Sequence, residues 1–202
     1  MTIRDPENRT RREQIALAAL ELIAESGLHG MTHRQVDKRL GLVEGSTSAY
    51  FRRREDLMVA AFDALMQISV EDFDHHFAPV LRRLDRGQAI TVAEVAGCQA
   101  SFWRYCQQPE NRFLTVARFD FFLESVRNEK FGDRVGSGLN ALSVYFQRIM
   151  ESLGARNVDV AILEVGRIWR GDLFSTIFVR PISPRIDESY YERLYRAALK
   201  ME

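Results

Sequence analysis

The sequence predicts an all-α fold, on three observations. Apolar residues recur every three or four positions through almost every segment of the 202-residue chain, the period of an amphipathic helix. No stretch alternates apolar and polar residues over a useful strand length. Only five prolines are present, which leaves room for long helices.

Each element follows from local chemistry. From Arg11 to Ser26, the residues Ile15, Ala18, Ala19, Leu22 and Ile23 share one stripe, and Gly27 falls where a left-handed helix end belongs. Thr32 predicts a helix start: its hydroxyl can accept from the Gln35 N–H, Gln35 can reach back, and Met31 and Val36 can close over the pair as a staple. That helix runs to Leu40 and breaks at Gly41. A second short helix fits Gly45 to Phe51. A longer one starts near Glu55, carries Leu57, Ala61, Leu65 and Ile68, and is expected to bend or end near Pro79. Thr91 and Glu94 repeat the capping box ahead of a helix bearing Val95, Phe102, Trp103 and Cys106. Pro109 suits a first helical turn and opens an aromatic-rich helix to about Asn128. Val135 to Leu153 reads as another, ended by Gly154. Asn157 can cap a helix to about Phe178. Pro181 and Pro184 force a turn, and Asp187 can cap a last helix to about Lys200.

Composition then narrows the function. Hydrophobic residues make up 46% and charged ones 28%, so a core can be buried and disorder is excluded. The formal charge is zero, which excludes a uniformly basic nucleic-acid coat and an acidic tail. The balance is uneven along the chain. Residues 1–54 hold ten Lys/Arg against seven Asp/Glu, and residues 55–202 hold 18 against 21. The basic excess gathers at Arg9-Arg11-Arg12 and Arg52-Arg53-Arg54, which points to a confined anionic contact or to a solvated surface. Two cysteines are too few for a disulfide framework. No apolar run is long enough to span a membrane, and Met1 to Glu7 has no apolar signal core, so a cytoplasmic protein with no membrane partner is expected.

The most informative stretch lies between Thr32 and Phe51. Two short helices meet at a tight turn on Gly41, with Val36, Leu40, Leu42 and Phe51 facing inward, which is helix-turn-helix geometry. The second helix presents Ser46, Thr47, Ser48 and Tyr50, short hydroxyl donors and one aromatic hydroxyl suited to close approach to base edges and phosphates. Three arginines follow at a helix start, where guanidinium and backbone N–H groups can hold a phosphate together. A plain helical hairpin with a polar outer face fits the same spacing.

Arg11 to Leu57 resembles the N-terminal DNA-binding domain of the tetracycline-repressor (TetR) family of transcriptional regulators. The resemblance rests on Ile15, Ala18 and Ala19, on Ser26-Gly27, on Thr32 with Val36, and on Gly41-Leu42, Gly45, Tyr50-Phe51, Arg54-Glu55 and Leu57. It covers about a quarter of the chain by motif. Three residues depart from the family pattern. Asp37 stands where a small residue is usual, so its carboxylate must turn outward or find a partner such as Arg34 or Arg39. Val43 replaces the usual serine cap of the recognition helix, which removes a side-chain acceptor. Ser48 stands where tyrosine is common.

The resemblance implies an N-terminal three-helix, helix-turn-helix DNA-binding domain over residues 1–54, joined to a larger helical effector-binding and dimerisation bundle over residues 55–202. Thr32, His33 and Arg34 would meet phosphate. Gly45, Ser46, Thr47, Ser48 and Tyr50 would line the recognition helix, and Arg53 and Arg54 would grip the DNA backbone. The expected partners are double-stranded operator DNA, a small-molecule effector of unknown identity, and a second copy of the chain.

No motif in the remaining two thirds names a ligand. Its dense aromatics are either core packing or the wall of an apolar effector pocket. The candidate lining is Cys98, Phe102, Trp103, Cys106, Phe119, Phe122 and Trp169. Nearby arginines point to an anionic or aromatic effector, or else form surface ion pairs. Cys98 and Cys106 fit buried small hydrophobes better than a redox pair. His75 and His76 project about 100° apart on a helix and cannot chelate one ion well, so neither a metal nor a cofactor is assigned. Leu139, Leu142, Phe146, Ile162, Val165, Trp169 and Leu173 form the candidate dimer surface. Gly136 and Gly138 offer close backbone approach there, or else mark a helix start or irregular join.

No nucleophile elbow, phosphate loop, zinc-binding pair or catalytic carboxylate pair is present, so no enzymatic activity is expected. A helical protein-binding adaptor explains the helices but not a hydroxyl-rich helix placed before three arginines. The expected function is a ligand-responsive repressor. It would bind a palindromic operator as a homodimer and leave when an effector shifts the helix that begins near Glu55.

Overall fold

The computed structural model describes residues 9–178 and 186–201. Among them the secondary structure is helical throughout, as the apolar period predicts: α1 (Arg11–Gly30), α2 (His33–Leu40), α3 (Ser46–Tyr50), α4 (Arg54–Asp85), α5 (Val92–Gln107), α6 (Pro109–Arg127), α7 (Glu129–Ser152), α8 (Val158–Phe178) and α9 (Glu188–Ala198). The turn expected at Pro181 and Pro184 lies outside the described residues.

The helix starts show their caps. Thr91 and Glu94 form the expected reciprocal box at α5, and Thr10 with Glu13 forms a second one at α1. At α2 the Thr32 hydroxyl accepts from the Gln35 N–H at 3.3 Å, the forward half of the expected box. Gly27 is left-handed at φ 70°, breaking the helical path of α1 before one further turn carries the chain to buried Met31.

One boundary differs from expectation, and an alternative left open at another is decided. α4 does not end at Pro79 but runs through it to Asp85. Pro79 is solvent-exposed, so the carbonyl one turn back that loses its donor can be hydrated instead. α7 starts at Glu129, not Val135, because Asn128 Oδ1 accepts the Phe131 N–H at 3.2 Å and caps it. Gly136 and Gly138 therefore sit inside a helix, and neither marks a start or an irregular join.

Packing gathers the chain into two compact units, Met1–Glu71 with Pro109–Gly138, and Asp72–Gln108 with Leu139–Glu202. This division by packing cuts the chain differently from the division expected at residue 54. In the first unit α1 packs on α2 and α6, burying Ile15, Ala19, Ile23, Val36, Phe51, Leu57 and Phe121. Phe62 meets Phe121 and Phe131 edge-on, at 5.4 and 5.6 Å between ring centres. A Cβ on Gly138 would lie 3.0 Å from Phe62 and 3.1 Å from Met66. The close approach that this glycine permits is thus to α4 of its own chain.

In the second unit α9 packs on α5 and α8. Its core includes Phe73, Phe77, Val95, Phe102, Trp103, Val165, Leu173, Tyr191 and Tyr195. Phe73 and Phe77 stack at 4.1 Å. The buried Tyr195 hydroxyl donates to Gln99 Oε1 at 3.0 Å, so its polar end is satisfied inside the core.

Candidate nucleic-acid interface

α3 has five residues, too few to sustain itself, because a first helical turn fixes several residues for one hydrogen bond. Its cap, Gly45 at φ 94°, has no side-chain acceptor to offer. The acceptor comes instead from α2. Asp37 is buried. Its Oδ2 accepts the Gly45 N–H at 2.8 Å, and its Oδ1 accepts the Thr47 N–H at 2.8 Å and the Thr47 hydroxyl at 2.6 Å. The Asp37 carbonyl accepts the Leu42 N–H at 2.9 Å and also takes the N–H of left-handed Gly41. One residue therefore ends α2 with its backbone and starts α3 with its side chain.

The expected partners Arg34 and Arg39 serve elsewhere. Arg34 lies 3.9 Å from Glu44 at the surface, and Arg39 pairs with Glu21 and Glu25 of α1. Burial pushes the Asp37 pKa up. The Thr47 hydroxyl, the two backbone N–H groups and nearby His33 outweigh it and hold the carboxyl below its ordinary value.

The other end of α3 is held by cationic and imidazole donors. Arg12 Nη1 donates to the Tyr50 carbonyl at 2.9 Å, and its guanidinium lies 4.1 Å from the centre of the Phe51 ring. His33 Nε2 lies 2.7 Å from the Phe51 carbonyl. A carbonyl only accepts, so Nε2 carries the proton. A carboxylate at the N-terminus and a guanidinium at the C-terminus complement the helix dipole.

This arrangement sorts the expected DNA-contacting residues. Thr32, Arg34, Gly45, Ser48 and Tyr50 are exposed, Tyr50 at 44%. Ser46 is half-buried and donates to the Val43 carbonyl at 2.6 Å. Thr47 is 0% exposed and bonded to Asp37, so it is not on the reading face. A signal for this was available: Phe51 faces inward, and Thr47 lies one turn before it on the same face. His33 is turned to the Phe51 carbonyl rather than outward. Arg53 is exposed and pairs with Asp56 at 2.9 Å. Arg54 is exposed, but its guanidinium donates to the Leu28 and Met31 carbonyls and ties the start of α4 to the end of α1. Side chains not on the expected list also face outward: Gln35, Arg52, Ala49 and Val43, the last at 82%.

The seven expected pocket residues do not form one set. Cys98, Phe102, Trp103 and Cys106 are buried on α5, with Trp169 on α8 in the same unit. Phe102 lies parallel to Trp169 at 5.5 Å, and the His76 ring approaches its centre at 5.6 Å. Phe119 and Phe122 belong to the other unit, where they meet edge-on at 5.9 Å. Neither cysteine forms a disulfide, and burial pushes the Cys98 thiol up, disfavouring the reactive thiolate.

The expected dimer stripe also faces inward in part. Val165 and Leu173 are buried in their own unit, while Leu139, Leu142, Phe146, Ile162 and Trp169 are half-buried. Among the described residues, the large apolar side chains that α7 and α8 expose are Val144, Leu163 and Phe174. Among the described residues no helix is long and apolar enough to cross a membrane.

No family model matches the chain. Over 65 residues it is 32% identical to the fatty acid metabolism regulator protein of Bacillus subtilis (strain 168), a match covering 32% of this chain and 34% of that protein. The match thus spans about a third of that relative's length. Solved structures share the whole architecture. A TetR-family member from Streptomyces coelicolor A3 superposes with a TM-score of 0.69 at 19% identity, over 96% of this chain and 100% of that one. The multidrug binding protein EbrR, solved with imidazole, gives 0.67 at 17% identity, over 96% and 98%. EbrR has also been solved with proflavin and with ethidium.

Proposed function

We propose that this chain, which carries the fold of the TetR-family regulators, is a DNA-binding transcriptional regulator. In this reading it acts as a homodimer on a palindromic operator and is released by a small-molecule effector. The observation that carries the proposal is α3. A five-residue helix is held at its start by the buried Asp37 carboxylate and at its end by Arg12 and half-buried His33, while Ser48, Ala49 and Tyr50 remain exposed. Such rigid presentation of a short outward face suits insertion into a major groove.

The reading face is revised from the sequence expectation. Ser48, Tyr50 and Val43 meet base edges, Val43 being an apolar group suited to a thymine methyl. Thr32, Arg34, Arg52 and Arg53 meet phosphates. Thr47, His33 and Arg54 hold the frame. The effector binds against the ring system of the second unit, where Phe102 and Trp169 lie parallel. The flat aromatic molecules bound by EbrR support an aromatic ligand there.

Duplexes selected from a random pool test the reading. The unaltered chain should enrich a two-fold sequence and lose affinity steeply as salt rises. Tyr50→Ala should weaken the selected duplex about tenfold while leaving random duplex binding unchanged. Absence of any salt-dependent duplex binding rejects the proposal.

A further inference from the structure

α3 differs from its neighbours in how its first turn is made. α1, α2 and α5 each start on a threonine hydroxyl three residues before the N–H it accepts, and α9 starts on Asp187 in the same way. α3 has no such local acceptor. Its cap is glycine, and Val43, two residues earlier, is an exposed hydrocarbon. The acceptor is a carboxylate eight to ten residues back, on another helix and out of water.

A carboxylate is removed from water only at a large cost unless its oxygens are filled. Here both oxygens accept, one from Gly45 and the other twice from Thr47. Two fixed points, the Gly45 N–H on one oxygen and Thr47 on the other, set both the position of the first turn and its rotation about its own axis.

We propose that Asp37, with Thr47 as its partner, is the positioning residue that sets the angle at which Ser48 and Tyr50 face DNA, and so determines sequence discrimination rather than DNA affinity in general. This rests on the DNA-reading function proposed above. Asp37 touches no DNA itself; it acts through the backbone of the reading helix. Phosphate contacts from Arg34, Arg52 and Arg53 do not pass through it, so non-specific binding is independent of it.

Asp37→Asn is the sharpest test because it keeps shape and removes one acceptor. If the amide oxygen stays with Thr47, the amide nitrogen faces the Gly45 N–H, donor against donor. The full-length variant should lose about tenfold or more in affinity for the selected duplex. Affinity for random duplex, and the dependence of that affinity on salt, should match the unaltered chain. Amide hydrogen exchange should speed up at Gly45 and Thr47 with the rest of α1 and α2 unchanged. Thr47→Val, which removes only the hydroxyl, should show a smaller loss of the same kind. Val43→Ser supplies a local acceptor for the Gly45 N–H, so adding it to Asp37→Ala should restore part of the Gly45 exchange protection that Asp37→Ala loses.

Unchanged discrimination in Asp37→Asn, measured where the unaltered chain binds its selected duplex, overturns the inference alone. Equal loss of selected and random binding together with a collapsed melting transition also overturns it, since Asp37 then only holds the fold. Failure of the unaltered chain to bind any duplex removes the DNA reading itself, and this inference with it.

Discussion

Asp37 is a buried charge that is stabilised only in its ionised form, and this makes its contribution to folding depend on pH. Burial raises its pKa, but the Thr47 hydroxyl, the Thr47 and Gly45 N–H groups and the neighbouring His33 lower it further than burial lifts it. In the unfolded chain an aspartate titrates near ~3.9. The folded value is lower, so the unfolded state binds the proton first. The stabilising contribution is complete above about pH 4 and is lost as pH falls through the folded value. Asp37→Asn should therefore be less stable than the unaltered chain at pH 7, and the gap should narrow as the solution is taken below about pH 4. Urea denaturation of both proteins across that range measures the gap. A gap that stays constant down to the lowest pH would show that the charge contributes nothing. Arg54 teaches a related lesson at this scale. Its place after the reading helix suggested a phosphate grip, yet its guanidinium is on the Leu28 and Met31 carbonyls. Sequence position locates a charge along the chain without saying which oxygen it reaches.

Elements were legible where their signals are local. The α5 capping box, the left-handed Gly41 and the Asp187 cap all sit within a few residues of the helix ends that they define. The bounds of α3 were legible at Gly45 and Phe51, but what holds the helix was not, because its acceptor lies on α2 and its C-terminal donor, Arg12, lies 38 residues away. The start of α7 was missed for a different reason. Gly132, Gly136 and Gly138 dilute the helical pattern, and the buried pair Phe131 and Val135, four residues apart, carries it almost alone. These glycines are not equivalent. A Cβ at Gly136 meets nothing within 4 Å, whereas at Gly138 it meets Phe62 and Met66. Gly136→Ala should therefore stabilise the chain by up to about 1 kcal/mol, the helical cost of glycine being removed. Gly138→Val should destabilise it by about 1–3 kcal/mol by overpacking against Phe62. Chemical denaturation of the two variants reads both signs. The same sign at both sites would mean that the contact with α4 does not decide the choice of glycine at 138.

At the scale of the whole molecule, a two-fold operator requires two reading helices, and one chain supplies one. The sequence stripe chosen for self-association ran through Val165 and Leu173, which the structure buries inside their own unit. Helical period alone could not separate the inward stripe from the outward one, because α8 carries apolar residues on both. Among the described residues its outward set includes Leu163 and Phe174, with exposed Arg167 and Gly171 between them at spacings of three and four, and α7 adds Val144. Large apolar side chains exposed on α7 and α8 of the second unit are costly unless a partner covers them. Gly171 lacks the side chain that would hold a partner helix away. In the proposed dimer this face meets its own copy about a two-fold axis. Leu163→Glu combined with Phe174→Glu places two carboxylates against their symmetry mates while leaving the buried Val165 and Leu173 untouched. Sedimentation equilibrium should then report a monomer whose helical signal matches the unaltered chain. Affinity for a two-fold duplex should fall on the order of a hundredfold, because the second head no longer arrives tethered to the first. Affinity for a duplex holding a single half-site should stay the same. A double variant that remains dimeric would move the self-association surface elsewhere on the chain, and one that loses half-site binding as well would tie this face to the reading head rather than to its duplication.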